Sequence, residues 1–167
     1  ALADHRALDG AGKRAAFAGE ASIVALGGAM EVFDDADAFA ASTASLLYGD
    51  EEHTPEPPPH VVEFGMQWPP RMAAESLIAY GVFAEPHDVD AYARLNGVVL
   101  GASTRTVART GQSFHAARVR TAGFECEVCL PVSVHPEMPR TGCVVAGTAF
   151  LVASLGTIER PKHRLSL

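Results

Sequence analysis

Long apolar runs, cysteines and catalytic motifs are all scarce in this chain. None of its 167 residues falls in a run approaching the roughly 18 to 20 apolar residues that span a bilayer. The most apolar stretch, CVVAGTAFLVASL at 143–155, stops short and carries Thr148 and Ser154, so it reads as a buried strand and no membrane partner is expected. Cys126, Cys129 and Cys143 are too few, and odd in number, for the disulfide framework of a small secreted domain. A reducing, cytoplasmic setting is the expectation. The first residue is Ala1, with neither an n-region nor an h-region to decide between a processed and a trimmed terminus.

Motifs that carry chemistry are missing as well. LGGAM at 26–30 lacks the G-x-G-x-x-G spacing and the Lys-Ser/Thr of a phosphate loop, and Asp34, Asp35 and Asp37 beside it repel phosphate. DDAD at 34–37 lacks the ligand spacing of a calcium loop. FECEVCLP at 124–131 does contain a C-x-x-C, but its β-formers and Pro131 favour an extended segment. Alternation then puts Phe124, Cys126, Val128 and Leu130 on one face and Glu125, Glu127 and Cys129 on the other, so the two sulfurs diverge. A second half-site is missing, because the seven histidines are scattered and Cys143 stands alone. No metal and no cofactor are expected. His115 shares its predicted face with Ala117 and Val119, opposite Phe114, Ala116, Arg118 and Arg120. No spacing ties it to Cys129 as base and nucleophile, and a histidine bonded to backbone or water is expected. No residue is assigned as catalytic.

What the chain has is a normal core composition and an uneven charge. Hydrophobic residues make up 48% and charged residues 20%, enough for one core in a folded protein. Residues 1–58 hold eleven Asp/Glu against three Lys/Arg, residues 59–93 five against one, and residues 94–167 four against nine. The halves are therefore expected to attract one another.

Residues 1–19 predict at most a frayed helix, and ASIVALGGAMEVF at 21–33 a strand broken or turned at Gly27 and Gly28. A helix is expected over 34–48, capped by Asp34 or Asp35, helped by Asp37, stopped by Gly49 and striped by Phe39, Thr43, Leu46 and Leu47. GDEEHTPEPPPH at 49–60 reads as an extended linker and the domain boundary. HVVEFGMQW at 60–68 alternates, which predicts a half-buried strand with Val62, Phe64, Met66 and Trp68 facing a core. Further strands are expected at 75–85, 95–107, 112–121, 124–132 and 142–155, punctuated by turns. The expected fold is mainly β with a minor α component. An acidic, helix-containing region at 1–58 precedes a small antiparallel barrel at 59–167, OB-like in its pattern, with an SH3-like barrel or a sandwich giving much the same string.

Arg105, Arg109, Arg118 and Arg120, joined by Arg94 and Arg140, fall on adjacent predicted strands and their hairpin, and in a barrel make one basic face. Phe114 shares it as a stacking surface. The helix at 34–48 is expected against this face. Three readings of function follow. The first is a non-enzymatic binding or assembly module that engages a protein, or a second copy of itself, through the barrel face or a strand edge. The second is a nucleic-acid-binding domain using Arg105, Arg109, Phe114, Arg118 and Arg120, which the acidic pI near 5.4 disfavours. The third is an enzyme whose pocket is built from residues distant in sequence.

Overall fold

A computed structural model describes residues 18–48, 55–82 and 90–159. The expected frayed helix at 1–19 lies outside them except for Ala18 and Gly19, which begin a strand; the Gly49 stop and the acidic start of the linker also lie outside. Six strands, β1 (Ala18–Phe33), β2 (Ser76–Ala79), β3 (Tyr92–Thr106), β4 (Ser113–Thr121), β5 (Phe124–Pro131) and β6 (Val144–Glu159), build one mixed sheet. The last four match the expected positions because each combines a period of two with turn residues at its ends, as Gly111 and Gly123 show between β3, β4 and β5.

β3, β4 and β5 form an antiparallel meander. β1 then lies between β5 and β6, antiparallel to β6 from Ala18 opposite Glu159 to Phe33 opposite Val144, and parallel to β5 where Val24, Ala25 and Leu26 face Glu127, Val128 and Cys129. β6 returns to β3, from Tyr92 opposite Phe150 to Val98 opposite Val144, so the pairings run in a ring β3, β4, β5, β1, β6. β2 adds to the other edge of β3, from Ser76 opposite Asn96 to Ala79 opposite Ala93. Two expectations change here. The sheet is mixed rather than antiparallel, and the strand at 21–33, expected in a region set apart by the linker, is an interior member of the same sheet.

Inside the ring, Ala25, Leu95, Val99, Ala117, Val119, Val128, Leu130, Val145 and Ala149 are wholly buried, with Cys126 and Cys143 among them. On the outer side of β6, Val144 and Ala146 meet Phe39, whose ring packs edge-on against Phe33 at 5.5 Å between centroids. Phe39 belongs to α1 (Ala36–Ala41), which covers six residues rather than the fifteen expected. Asp35 caps it, accepting from the Ala38 amide at 2.8 Å. It ends early because hydroxyls compete with helical bonding: Ser42 Oγ donates to the Phe39 carbonyl at 2.7 Å and Ser45 Oγ to that of Ser42 at 2.8 Å. Of the expected stripe Phe39 and Leu46 are buried, while Thr43 and Leu47 are exposed.

Two arginines collect the carbonyls this turn leaves open. Arg71 Nη1 donates to the carbonyls of Ala40 at 2.9 Å and Ser42 at 2.7 Å. Arg94 donates to those of Ala44 at 2.6 Å, Leu46 at 2.8 Å and Leu47 at 3.2 Å. A cation at a helix C-terminus satisfies orphan acceptors and complements the dipole, so these side chains fasten the excursion between β1 and β2 onto the sheet.

The expected strand at 60–68 is instead α2 (Pro59–Glu63) followed by a turn. Pro59 presets the first helical residue, and Gly65 at φ +59° ends the helix. The Gly65 amide bonds to the Val62 carbonyl at 3.3 Å and the Met66 amide to that of Val61 at 2.9 Å, the paired bonds of a Schellman stop. Val61 turns inward, whereas Val62, Phe64 and Met66 are 66%, 73% and 57% exposed. The predicted core role of Phe64 is thereby overturned. Trp68 folds back beside this knob, donating from its indole to the Pro55 carbonyl at 3.0 Å and resting 6.0 Å from the Tyr48 ring.

Closure of the ring leaves no room at Gly147, where φ is +143° and an added Cβ would stand 2.1 Å from the Ala29 carbonyl oxygen. Gly147→Ala should cost about 2 to 5 kcal/mol, combining backbone strain with overpacking. Gly101→Ala, into open space, should stay within about 1 kcal/mol of the unaltered chain. Urea melts of the two variants decide the matter, and equal midpoints would contradict the closure described.

Candidate functional site

Alternation along β4 sends His115, Ala117, Val119 and Thr121 into the core and Arg118 and Arg120 to the outside, as their burial shows. On β5 the same period turns Cys126, Val128 and Leu130 inward and leaves Glu125, Glu127 and Cys129 on the outer side. Register sets Arg118 opposite Glu127 and Arg120 opposite Glu125. The outer face is consequently a lattice of opposite charges. Arg105 holds both oxygens of Glu127, each at 2.8 Å. Arg118 Nε donates to Glu125 at 2.7 Å, and Arg120 grips Glu75, ahead of β2, through Nε at 3.1 Å and Nη2 at 2.7 Å. The bond from Arg120 holds the Glu75 carboxyl below its usual range against an opposing effect of desolvation, and Glu75 in turn raises the guanidinium. Exposed pairs of this kind add little to stability. Their larger effect is to cancel the charge of the face: three arginines meet three glutamates.

The five residues singled out from the sequence divide accordingly. Arg105, Arg118 and Arg120 share the face but are paired. Arg109 stands at the tip of the β3–β4 hairpin, exposed, with no ion pair among the described residues. Phe114 is half-buried and lines a cleft. Arg140 pairs with Asp34 at 3.0 Å, both largely exposed, and Arg94 is the backbone fastener already described. α1 rests on Val144 and Ala146, away from Arg118 and Arg120.

The cleft, of about 530 Å³, opens where the hairpin overhangs the ends of β5 and the middle of β1. Leu26, Val107, Phe114, Pro131 and Val132 give it apolar walls, and Gln112, Ser113, Ser133 and Cys129 supply its polar atoms. In the sequence Leu26 and Gly27 stand out only as part of a candidate phosphate loop, and nothing there joins them to Phe114 and Cys129, because the walls come from three segments that only the ring brings together.

The cleft does not assemble acid–base chemistry. The Cys129 thiol is pushed up by burial and by Glu127, with Arg105 opposing, so it stays protonated at neutral pH. Cys126, on the core side, is pushed up to about 11 by burial alone. His115 is buried with both nitrogens engaged: Nε2 donates to the His135 carbonyl at 3.0 Å, which leaves Nδ1 to accept from the Thr104 hydroxyl at 2.9 Å. It lies across the sheet from Cys129 rather than beside it. Among the described residues no three His, Cys, Asp or Glu side chains cluster as metal ligands, and no helix is long and apolar enough to cross a membrane. The chain matches no family model, no curated protein and no solved structure.

Two measurements follow from these environments. Iodoacetamide should modify Cys129 more slowly than free cysteine at neutral pH, with a rate still climbing where free cysteine has levelled off, and should reach Cys126 only after unfolding; fast labelling of either at pH 7 would contradict the burial. The Glu75 contact should be complete above the usual glutamate range and fade as pH falls through the lowered value, because a depressed carboxyl favours the folded form only while ionised. Side-chain NMR titration should show Glu75 returning to the ordinary range in Arg120→Ala, and an unchanged titration would remove Arg120 as the cause.

Proposed function

We propose that this protein is a non-enzymatic binding module, a small OB-like barrel that recognises an apolar side chain presented by an extended protein segment. The observation that carries the reading is the cleft of about 530 Å³ beneath the β3–β4 hairpin, apolar on most walls and fringed by a few hydroxyl and amide groups. Ligand sites have this size and this mixture, in which apolar surface supplies affinity and scattered polar groups orient the guest. Support for the barrel comes from the ring of pairings. Counted from β3, its second and third strands are β4 and β5, and OB-folds take extended ligands on that face and its flanking loops.

The nucleic-acid reading loses its main driving force. Affinity for phosphate comes from unpaired cations that displace counterions, and three of the four face arginines are already held by glutamates. Catalysis has no engaged nucleophile or free base to draw on in the cleft, where Cys129 is protonated and His115 lies on the other side of the sheet.

Selection of a random peptide library on the full chain tests the reading. Enriched peptides should share an aromatic or large aliphatic anchor, and Phe114→Ala or Leu26→Ser should weaken them by tenfold or more while Arg118→Ala leaves them nearly unchanged, since anchor pockets dominate binding energy. Peptides indifferent to both cleft variants would refute it, as would salt-sensitive binding of a single-stranded oligonucleotide lost in the arginine variant.

A further inference from the structure

We infer that the guest of this cleft is the apolar knob of a second copy of the same chain, Phe64 with Val62 and Met66, so that copies join head to tail. This rests on the cleft being a binding site and adds the identity of its partner.

Three observations lead there. The first is the knob itself. α2 and its Schellman turn hold Val62, Phe64 and Met66 in a fixed projection, more than half exposed, on a segment braced by Trp68 against Pro55 and Tyr48. Large apolar side chains presented together by a rigid turn mark a contact surface. The second is fit. The cleft has room for an aromatic ring with an aliphatic neighbour, and its walls at Leu26 and Val107 are themselves 46% and 41% exposed, so both surfaces stand open among the described residues. The third is charge. Glu63 lies between Val62 and Phe64, and neither it nor Arg109 has an ion pair among the described residues. Arg109 stands at the hairpin tip between Val107 and Gln112, both of which line the cleft. Seating Phe64 in the cleft brings this carboxylate to this guanidinium.

Within one copy the two surfaces do not meet, since none of Val62, Phe64 and Met66 lines the cleft, so a knob on one copy enters the cleft of the next. Such a contact is heterologous, because knob and cleft are different surfaces.

Sedimentation of the full chain over a concentration series tests this. The unaltered chain should self-associate, and Phe64→Ser, at an exposed position, should weaken association by tenfold or more without altering the melt. Val107→Glu, which sets a carboxylate at the mouth of the cleft against Glu63, should do the same. An equimolar mixture of the two variants should restore one contact and stop at a heterodimer, because one brings an intact cleft and the other an intact knob. A chain monomeric at every concentration would overturn the inference, as would association that survives Phe64→Ser or a mixture that stays monomeric. The cleft reading fails separately: if selected peptides bind through Phe114 and Leu26 while the chain remains monomeric, the cleft is a binding site for another protein and only the self-association falls.

Discussion

The ladder between β1 and β6 is the constraint on which the rest of the molecule depends. It spans both strands from end to end, and only because β1 also meets β5, at Val24 to Leu26, does the meander of β3, β4 and β5 connect back to β6 and β3. A ring has a fixed circumference, so irregularities must sit where the chain can absorb them. One is the register shift between Gly27 and Ala29, next to the close approach of Gly147 to the Ala29 carbonyl. The shift accelerates the local twist of β1 beside Leu26, and there the cleft opens. The site is thus a consequence of closure rather than an addition to it.

Electrostatics play three separate parts, and the arginines show the division. Arg71 and Arg94 serve backbone carbonyls, a use that a lysine could not match because one planar fork reaches several acceptors at once. Arg105, Arg118 and Arg120 are matched to glutamates across the sheet, which flattens the potential over the outer face of β4 and β5. Arg109 is left to solvent at the tip of a hairpin. Among the described residues, therefore, the arginines of β3 and β4 do not make a positive face. What remains unpaired is local, and it borders the cleft.

Legibility in the sequence followed the range over which the deciding interactions act. The faces of β4 and β5, and with them the divergence of Cys126 and Cys129 and the engaged state of His115, were readable because alternation is local and both sides of the sheet differ in polarity. The glutamate partners of the arginines were not, since Arg105 reaches Glu127 and Arg120 reaches Glu75 through a register that no single strand reveals. At 34–48 the dipole and capping signals were correct at Asp35, but Ser42 and Ser45 diverted the chain by bonding locally. At 60–68 apolar alternation described a strand for which no neighbouring strand existed. With no ladder available, the proline start and the glycine stop decided the conformation, and both were visible as Pro59 and Gly65.

That misreading also bears on the proposed self-association. Alternating apolar residues are ordinarily a sign of burial, and in Val62, Phe64 and Met66 the pattern survives while the burial does not. A helix of five residues closed by a Schellman turn buries Val61 and cannot bury the rest, so the turn holds its other apolar side chains outward at a cost in exposed surface that folding of one copy never recovers. In the proposed assembly a second copy removes that surface from water. The cleft under the hairpin presents apolar surface in concave form, beside Arg109, which has no ion pair among the described residues. Because the convex and concave halves are different surfaces, their union in the proposed assembly sets a direction, and each added copy brings a new knob and a new cleft. Whether growth closes into a ring or continues as a filament then depends on the rotation between successive copies. The rigidity of the α2 turn and the overhang of the β3–β4 hairpin set that rotation.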